Sequence, residues 1–146
     1  MSENKSFSSL RNFLLRELEH LLTPEGEFIN LFDKKAIMEF PYAPEDGVSH
    51  IRGEKEMREY FAKIGKLLDI DELILDQKYF CTDQQTAILE FHCRGRLIPT
   101  GNPYHQKYIS VITISQGKIM HYKDYWNPDV IRKAQGHDWV GELSDQ

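Results

Sequence analysis

Cysteine is scarce in this 146-residue chain: Cys81 and Cys93 are the only two, and they form no Cys-x-x-Cys pair. That spacing excludes a zinc knuckle and a dithiol redox motif. Two isolated thiols fit reduced core side chains of a cytosolic protein. Long apolar runs are missing as well. No segment approaches the roughly 18 apolar residues of a membrane span, and the opening MSENKSFSSLRNF lacks the continuous apolar stretch of a signal peptide. A cytoplasmic protein without membrane contact is the expectation. Positive charge is also short: 18 Lys and Arg against 23 Asp and Glu leave a net charge of −5. That balance argues against a nucleic-acid partner, because a phosphate backbone wants a basic face. The six histidines include no i, i+4 pair and no matching carboxylate spacing, so no metal is expected. Without repeats, low-complexity tracts or linkers, the chain reads as one domain over 1–146, with a core of about 6–135.

What is present is an ordinary apolar fraction, 40%, with 12% aromatics, enough for a substantial aromatic-rich core. Apolar residues at helical spacing (Leu10, Phe13, Leu14, Leu18, Leu21, Leu22) predict a first helix over Ser6–Leu22. Thr23-Pro24 has the form of an N-cap followed by proline at the first helical position, opening a short second helix to about Leu31. Lys35 to Tyr42 reads as a strand ending at Pro41, and Ala43 to Gly53 as a loop. A third helix is predicted from Glu54 to Leu68, with Met57, Tyr60, Phe61, Ile64, Leu67 and Leu68 as its buried stripe. Strands follow over Asp71–Thr82 and Thr86–Leu97, then a turn at Pro99–Pro103. A short helix over Asp129–Gln135 and a polar tail close the chain.

The densest information lies in Tyr104 to Pro128, YHQKYISVITISQGKIMHYKDYWNP. Two β-prone runs flank Ser115-Gln116-Gly117, which predicts a long antiparallel hairpin. Residues two apart on a strand share a face, so Met120, Tyr122, Asp124 and Trp126 point one way, and Gln106, Tyr108 and Ser110 share a face on the first strand. The opposite face is assigned Ile112, Ile114, Ile119 and Tyr125, an apolar patch of the kind that finds a partner; a homodimer is expected. On the neighbouring strand Leu89, Phe91 and Cys93 face the interior and His92 faces away. Helices followed by antiparallel strands define an α+β fold, a curved antiparallel or mixed sheet wrapped as a cone around about three helices of the N-terminal half. The open end of such a cone is the expected ligand pocket.

Four short words carry a resemblance: Ile51-Arg52-Gly53, Pro99-Thr100-Gly101, Gly117-Lys118-Ile119 and Asp124-Tyr125-Trp126-Asn127-Pro128. In this order and spacing the chain, over about Leu14 to Ala134, resembles the nuclear-transport-factor-2-like superfamily. Within it the likeness is to the SnoaL-like branch of polyketide cyclases, limonene-epoxide hydrolases, ketosteroid isomerases and phenazine-biosynthesis proteins. The resemblance implies an acid on the last strand, which is Asp124 here. The Arg and second Asp of the hydrolases fall on Phe91 and Cys93, and their water-holding Tyr and Asn near Met38 and Phe40, so epoxide hydrolysis is not expected. The isomerase base falls on Phe40, with Glu39 facing the other way, and the isomerases' second acid falls near Ser110.

The cyclase comparison keeps its parts best. It implies Asp124 as base, its pKa raised by the surrounding Tyr122, Trp126, Phe91 and Met38, with Tyr108 and Gln106 as orienting groups. Phe40, Phe91, Tyr122 and Trp126 would form the wall, with Met38, Cys93 and Ser110 also facing the ligand and Tyr42 covering the mouth. The expected function is cofactor-independent isomerisation or cyclisation of a small apolar carbonyl compound. The alternative is a non-catalytic protein of the same fold that binds a small molecule or serves as a dimerisation module.

Overall fold

The computed structural model describes residues 3–136. Within them the order is α1 (Lys5–Glu17), single 3-10 turns at Glu19–Leu21 and Phe28–Leu31, β1 (Phe32–Glu39), β2 (His50–Arg52), α2 (Gly53–Gly65), β3 (Leu68–Phe80), β4 (Thr86–Leu97), β5 (Pro103–Ser115), β6 (Lys118–Trp126) and α3 (Pro128–Ala134). The strands make one sheet ordered β2-β1-β6-β5-β4-β3. Its pairings are antiparallel except for β1 beside β6, which is parallel. This is the mixed α+β cone, an open curved sheet around α1 and α2. The polar tail falls at 137–146, outside the described residues. Among the described residues no helix is long and apolar enough to cross a membrane.

Local chemistry sets the ends of these elements. Asn4 caps α1 by accepting from the Ser6 amide, and its own amide donates to Gly65 O at 3.1 Å, closing the C-terminus of α2. The buried Ser6 hydroxyl accepts from Ile70 N at 2.8 Å and ties α1 to the start of β3. A cluster of rings from four elements (Phe7, Phe28, Phe32, Phe61) fills the space beneath the helices, at centroid distances of 5.1–6.0 Å.

Several expectations change. The helix read from Pro24 does not form. Thr23 spends its amide on Gly117 O at 3.0 Å, so Thr23 docks the chain onto the β5–β6 turn instead of capping a helix. Only the 3-10 turn Phe28–Leu31 follows, with Glu27 at its N-terminus. Gln116 and Gly117 both have positive φ, 53° and 78°, as a tight hairpin turn between right-twisted strands requires. The loop read over Ala43–Gly53 contains β2, which hydrogen-bonds to β1, and β1 begins at Phe32 rather than Lys35.

The assignment of the sheet's faces also changes. Ile112, Ile114 and Ile119 are 0%, 3% and 0% exposed and lie in the main core, not on an outer patch. Ile112 and Ile114 share parity with Ser110 and therefore its inward face. Ile119 turns inward because β6 carries one extra residue, Met120: Thr113 pairs with His121 but Ile114 with Ile119. A bulge of this kind reverses the alternation below it. The outer face instead exposes Ile109, 45% accessible.

Two further bulges bend β3 against β4, at Ile70/Glu72 and Leu75/Gln77. Gly95 sits opposite the first, where a Cβ would stand 2.3 Å from Asp69 O. Gly95→Ala is expected to cost about 2 kcal/mol in chemical denaturation, since backbone must shift to admit the methyl group. A loss below a few tenths would mean that the bulge is soft.

Candidate functional site

Cross-strand register assembles the cavity in rows. Phe91, Tyr108 and Trp126 lie side by side on β4, β5 and β6; next come Leu89, Ser110 and Asp124; then Ala87, Ile112 and Tyr122, with Met38 of β1 beside Tyr122. Inward-facing positions of adjacent strands must meet in this way once the register is set. α1 and α2 close the other side with Phe7, Leu10, Tyr60 and Ile64, and α3 closes the end with Ile131. Between them is a cavity of about 150 Å³ with an almost wholly apolar wall. A dry cavity of about that size takes up benzene, so the space suits a one-ring molecule rather than a polycycle.

Of the described residues lining this cavity, Asp124 is the only Asp, Glu, Lys, Arg or His. It keeps some accessible surface because it faces the empty space, yet protein surrounds its carboxyl. One side-chain hydrogen bond reaches it, from the Ser110 hydroxyl at 3.5 Å, close to the limit for such a bond. Burial therefore dominates and pushes the carboxyl from 3.8 up to about 7, Ser110 pulling weakly the other way. Ser110 is fully buried and lies 3.0 Å from the Tyr122 hydroxyl. When Asp124 is charged, the single Ser110 proton serves the carboxylate, and Tyr122 can donate to Ser110 in turn. Burial and the Asp124 charge hold the Tyr122 and Tyr60 hydroxyls above the usual phenol range, so both stay protonated.

Among the residues singled out from sequence, Asp124, Tyr108, Met38, Phe91, Tyr122 and Trp126 line the cavity. The others do not. Gln106 is fully buried, but its side chain is spent on the protein: Oε1 accepts from Asn127 N at 2.9 Å and Lys107 N at 3.0 Å, and Nε2 donates to Asn127 O at 2.9 Å. The side-chain amide acts as a peptide group, adding a rung to the β5–β6 ladder where β6 turns into α3. Phe40 backs the wall from behind, against Tyr60 at 5.0 Å and Trp126 at 5.3 Å. Cys93 belongs to a second apolar cluster with Ile70, Leu97, Tyr104 and Ala134. Ser110 lies behind Asp124 as its partner. Tyr42 is 57% exposed and packs edge-on against Tyr125 at 5.4 Å, outside the cone, so it does not cover the mouth. His92 does face outward, 2.9 Å from Asp76, and Glu39 pairs outside with His121 at 3.2 Å.

Two cavity tyrosines were not singled out. Tyr60 stood only in the apolar stripe of α2, and Tyr104 only at the start of β5. A hydroxyl-bearing aromatic at an inward position was the available signal, but which inward position reaches a cavity depends on helix placement. Trp126 adds an indole N–H that is buried without a hydrogen-bond partner among the described residues.

The profile of the SnoaL-like domain matches residues 21–122, and this chain belongs to that family. YesE of Bacillus subtilis is 38% identical over 136 residues, covering 93% of this chain and 90% of its own length. The PhzA/B-like protein PA3332 of Pseudomonas aeruginosa is 32% identical over 99 residues, 68% of this chain and 70% of its own. A crystal structure from Bacillus subtilis named "Putative Isomerase" superposes with a TM-score of 0.74 at 34% identity, covering 94% of this chain and 98% of that one.

Proposed function

We propose that this protein is a cofactor-independent proton-transfer enzyme, of isomerase or cyclase type, acting on a small apolar carbonyl compound with Asp124 as the base. The observation that carries this reading is the Asp124 carboxyl set in an apolar cavity with one 3.5 Å hydrogen bond from Ser110, where burial pushes it up to about 7. A base poised there is half ionised at neutral pH and strong enough to take a proton from a carbon next to a carbonyl. In that step the C–H bond breaks, the proton passes to a carboxyl oxygen and the electron pair moves onto the carbonyl oxygen. Return of the same proton to another carbon would complete an isomerisation with no net change in atoms. The "Putative Isomerase" likeness, at 34% identity, supports this class of reaction.

The test uses cyclohexanone, a ketone small enough for the cavity. Its α-hydrogens are followed by NMR in D₂O with the wild-type protein and with Asp124→Asn. Exchange above the buffer rate that vanishes in the variant supports the base; exchange absent from both sinks it. A binding protein without chemistry is the second reading, favoured by Gln106 being consumed in the β6–α3 joint rather than turned toward Asp124. Native mass spectrometry for a co-purifying small molecule would support that reading if the exchange assay is negative.

A homodimer also belongs to the proposal, with Ile109 replacing the three isoleucines now assigned to the core. Sedimentation velocity is expected to give a dimer for the wild type and a monomer for Ile109→Asp; a wild-type monomer would overturn it.

A further inference from the structure

The end of the cavity beside Tyr108 holds two phenol hydroxyls that share too few acceptors. Tyr104 and Tyr108 lie with their oxygens 3.2 Å apart. That bond uses one hydroxyl proton and leaves the other over, whichever ring donates. Gln106 cannot take it, because its Oε1 already accepts from two backbone amides and its Nε2 can only donate, to Asn127 O and, at 3.4 Å, to the Tyr104 oxygen. The Cys93 thiol, 3.9 Å from the Tyr108 oxygen, is a weak partner in either direction. Among the described residues, Asp124 takes a side-chain hydrogen bond from Ser110 alone. Either ring can donate across the tyrosine pair. An oxygen that accepts a hydrogen bond becomes a better donor, so the Gln106 bond at 3.4 Å favours the arrangement in which Tyr104 donates and the Tyr108 proton is left over. Trp126, directly across the strand from Tyr108, carries the buried indole N–H that has no partner among the described residues. Buried orphan donors are rare in folded proteins, and an orphan indole N–H on the same rung as a left-over phenol proton marks a place for an acceptor at the cavity wall.

We infer that this rung is the donor pole of the cavity, where Tyr108, polarised by Gln106 through Tyr104, binds the carbonyl oxygen of a one-ring ketone whose α-carbon faces Asp124. Gln106 and Tyr104 are positioning residues, and Tyr108 makes the contact. The assignment deepens the proton-transfer reading and rests on it for the identity of the ligand. It also specifies that reading: charge moving onto the carbonyl oxygen meets a fixed donor instead of water, and the pole rejects ligands that present only an N–H there.

The test compares cyclohexanone with methylenecyclohexane, which has the same shape and no acceptor. Wild-type protein is expected to prefer the ketone and to shift the bound carbonyl stretch to lower frequency in the infrared. Tyr108→Phe should abolish the shift and remove a preference of about five- to tenfold, the worth of one hydrogen bond. Methylenecyclohexane affinity should stay unchanged, which a merely damaged fold would not allow. Tyr104→Phe should reduce the shift without removing it. An unchanged carbonyl frequency in Tyr108→Phe, or no preference for the ketone in the wild type, overturns the donor pole. A frequency unchanged in Tyr104→Phe overturns the relay through Gln106. The shift is expected to persist in Asp124→Asn. A shift without proton exchange would sink the base and leave the pole standing; exchange without a shift would do the reverse.

Discussion

Asp124→Asn is expected to slow α-proton exchange by about 10²–10⁴-fold, the usual worth of a positioned general base, while making the protein more stable. Both effects follow from one displacement. Unfolded, the carboxyl titrates near 3.8; folded, near 7. Between those values the folded state holds a proton that the unfolded chain has released, so stability falls as pH rises through the window and levels off above about 7. The full displacement corresponds to about 4 kcal/mol. Below the unfolded value both states are protonated and the penalty is gone. Asparagine carries no such penalty at any pH, so denaturation of the two proteins from pH 5 to pH 8 should show a stability gap that widens in favour of the variant by about 3 kcal/mol. The exchange rate of the wild type should climb over the same range, as the base loses its proton, and flatten above about pH 7. A stability gap constant with pH would show that Asp124 is solvated, and the base hypothesis would lose its physical ground. Stability given up at a reacting group is a known trade.

Gln106→Leu is expected to cost about 3 kcal/mol, with the loss concentrated where β6 meets α3. Leucine is close in volume and leaves three backbone groups, Asn127 N, Asn127 O and Lys107 N, without their partner. Leaving a buried group unsatisfied costs about 1–3 kcal/mol, but the Asn127 and Lys107 side chains face solvent, so water can recover part of the sum. The joint matters because Asn127 also caps α3, its Oδ1 accepting from Asp129 N at 3.0 Å. At the far end of α3 the Thr100 and Asn102 side chains donate to Ala134 O at 2.7 and 3.0 Å. Hydrogen exchange of α3 amides should rise in the variant while that of β4 changes little. A loss under about 1 kcal/mol would mean that water replaces the amide and that Gln106 is not a structural clamp.

The hairpin was legible because its signals are local. Positive φ at Gln116-Gly117 and a period of two along β5 and the upper part of β6 need only near neighbours in sequence. They put Tyr108, Tyr122, Asp124 and Trp126 on one face, where the structure has them. What failed was whatever depended on counting past an irregularity or on a distant partner. One extra residue at Met120 turned Ile119 inward, and β2 formed because β1 offered an edge. Thr23-Pro24 has helix-start chemistry but gives its amide to Gly117, 94 positions further on. Gln106 has the parity of an active-site residue, and only the approach of Asn127 explains why its amide never reaches the ligand space.

By itself, the sequence determined an α+β cone with a single acid among inward aromatics, since alternation and turn chemistry act within a few residues. Tertiary structure alone decided whether that acid is desolvated, how large the space beside it is, and which polar groups are left without partners. Burial and hydrogen-bond satisfaction are sums over everything that surrounds an atom, and for Asp124 those surroundings come from β1, β5, α1 and α2 as much as from its own strand.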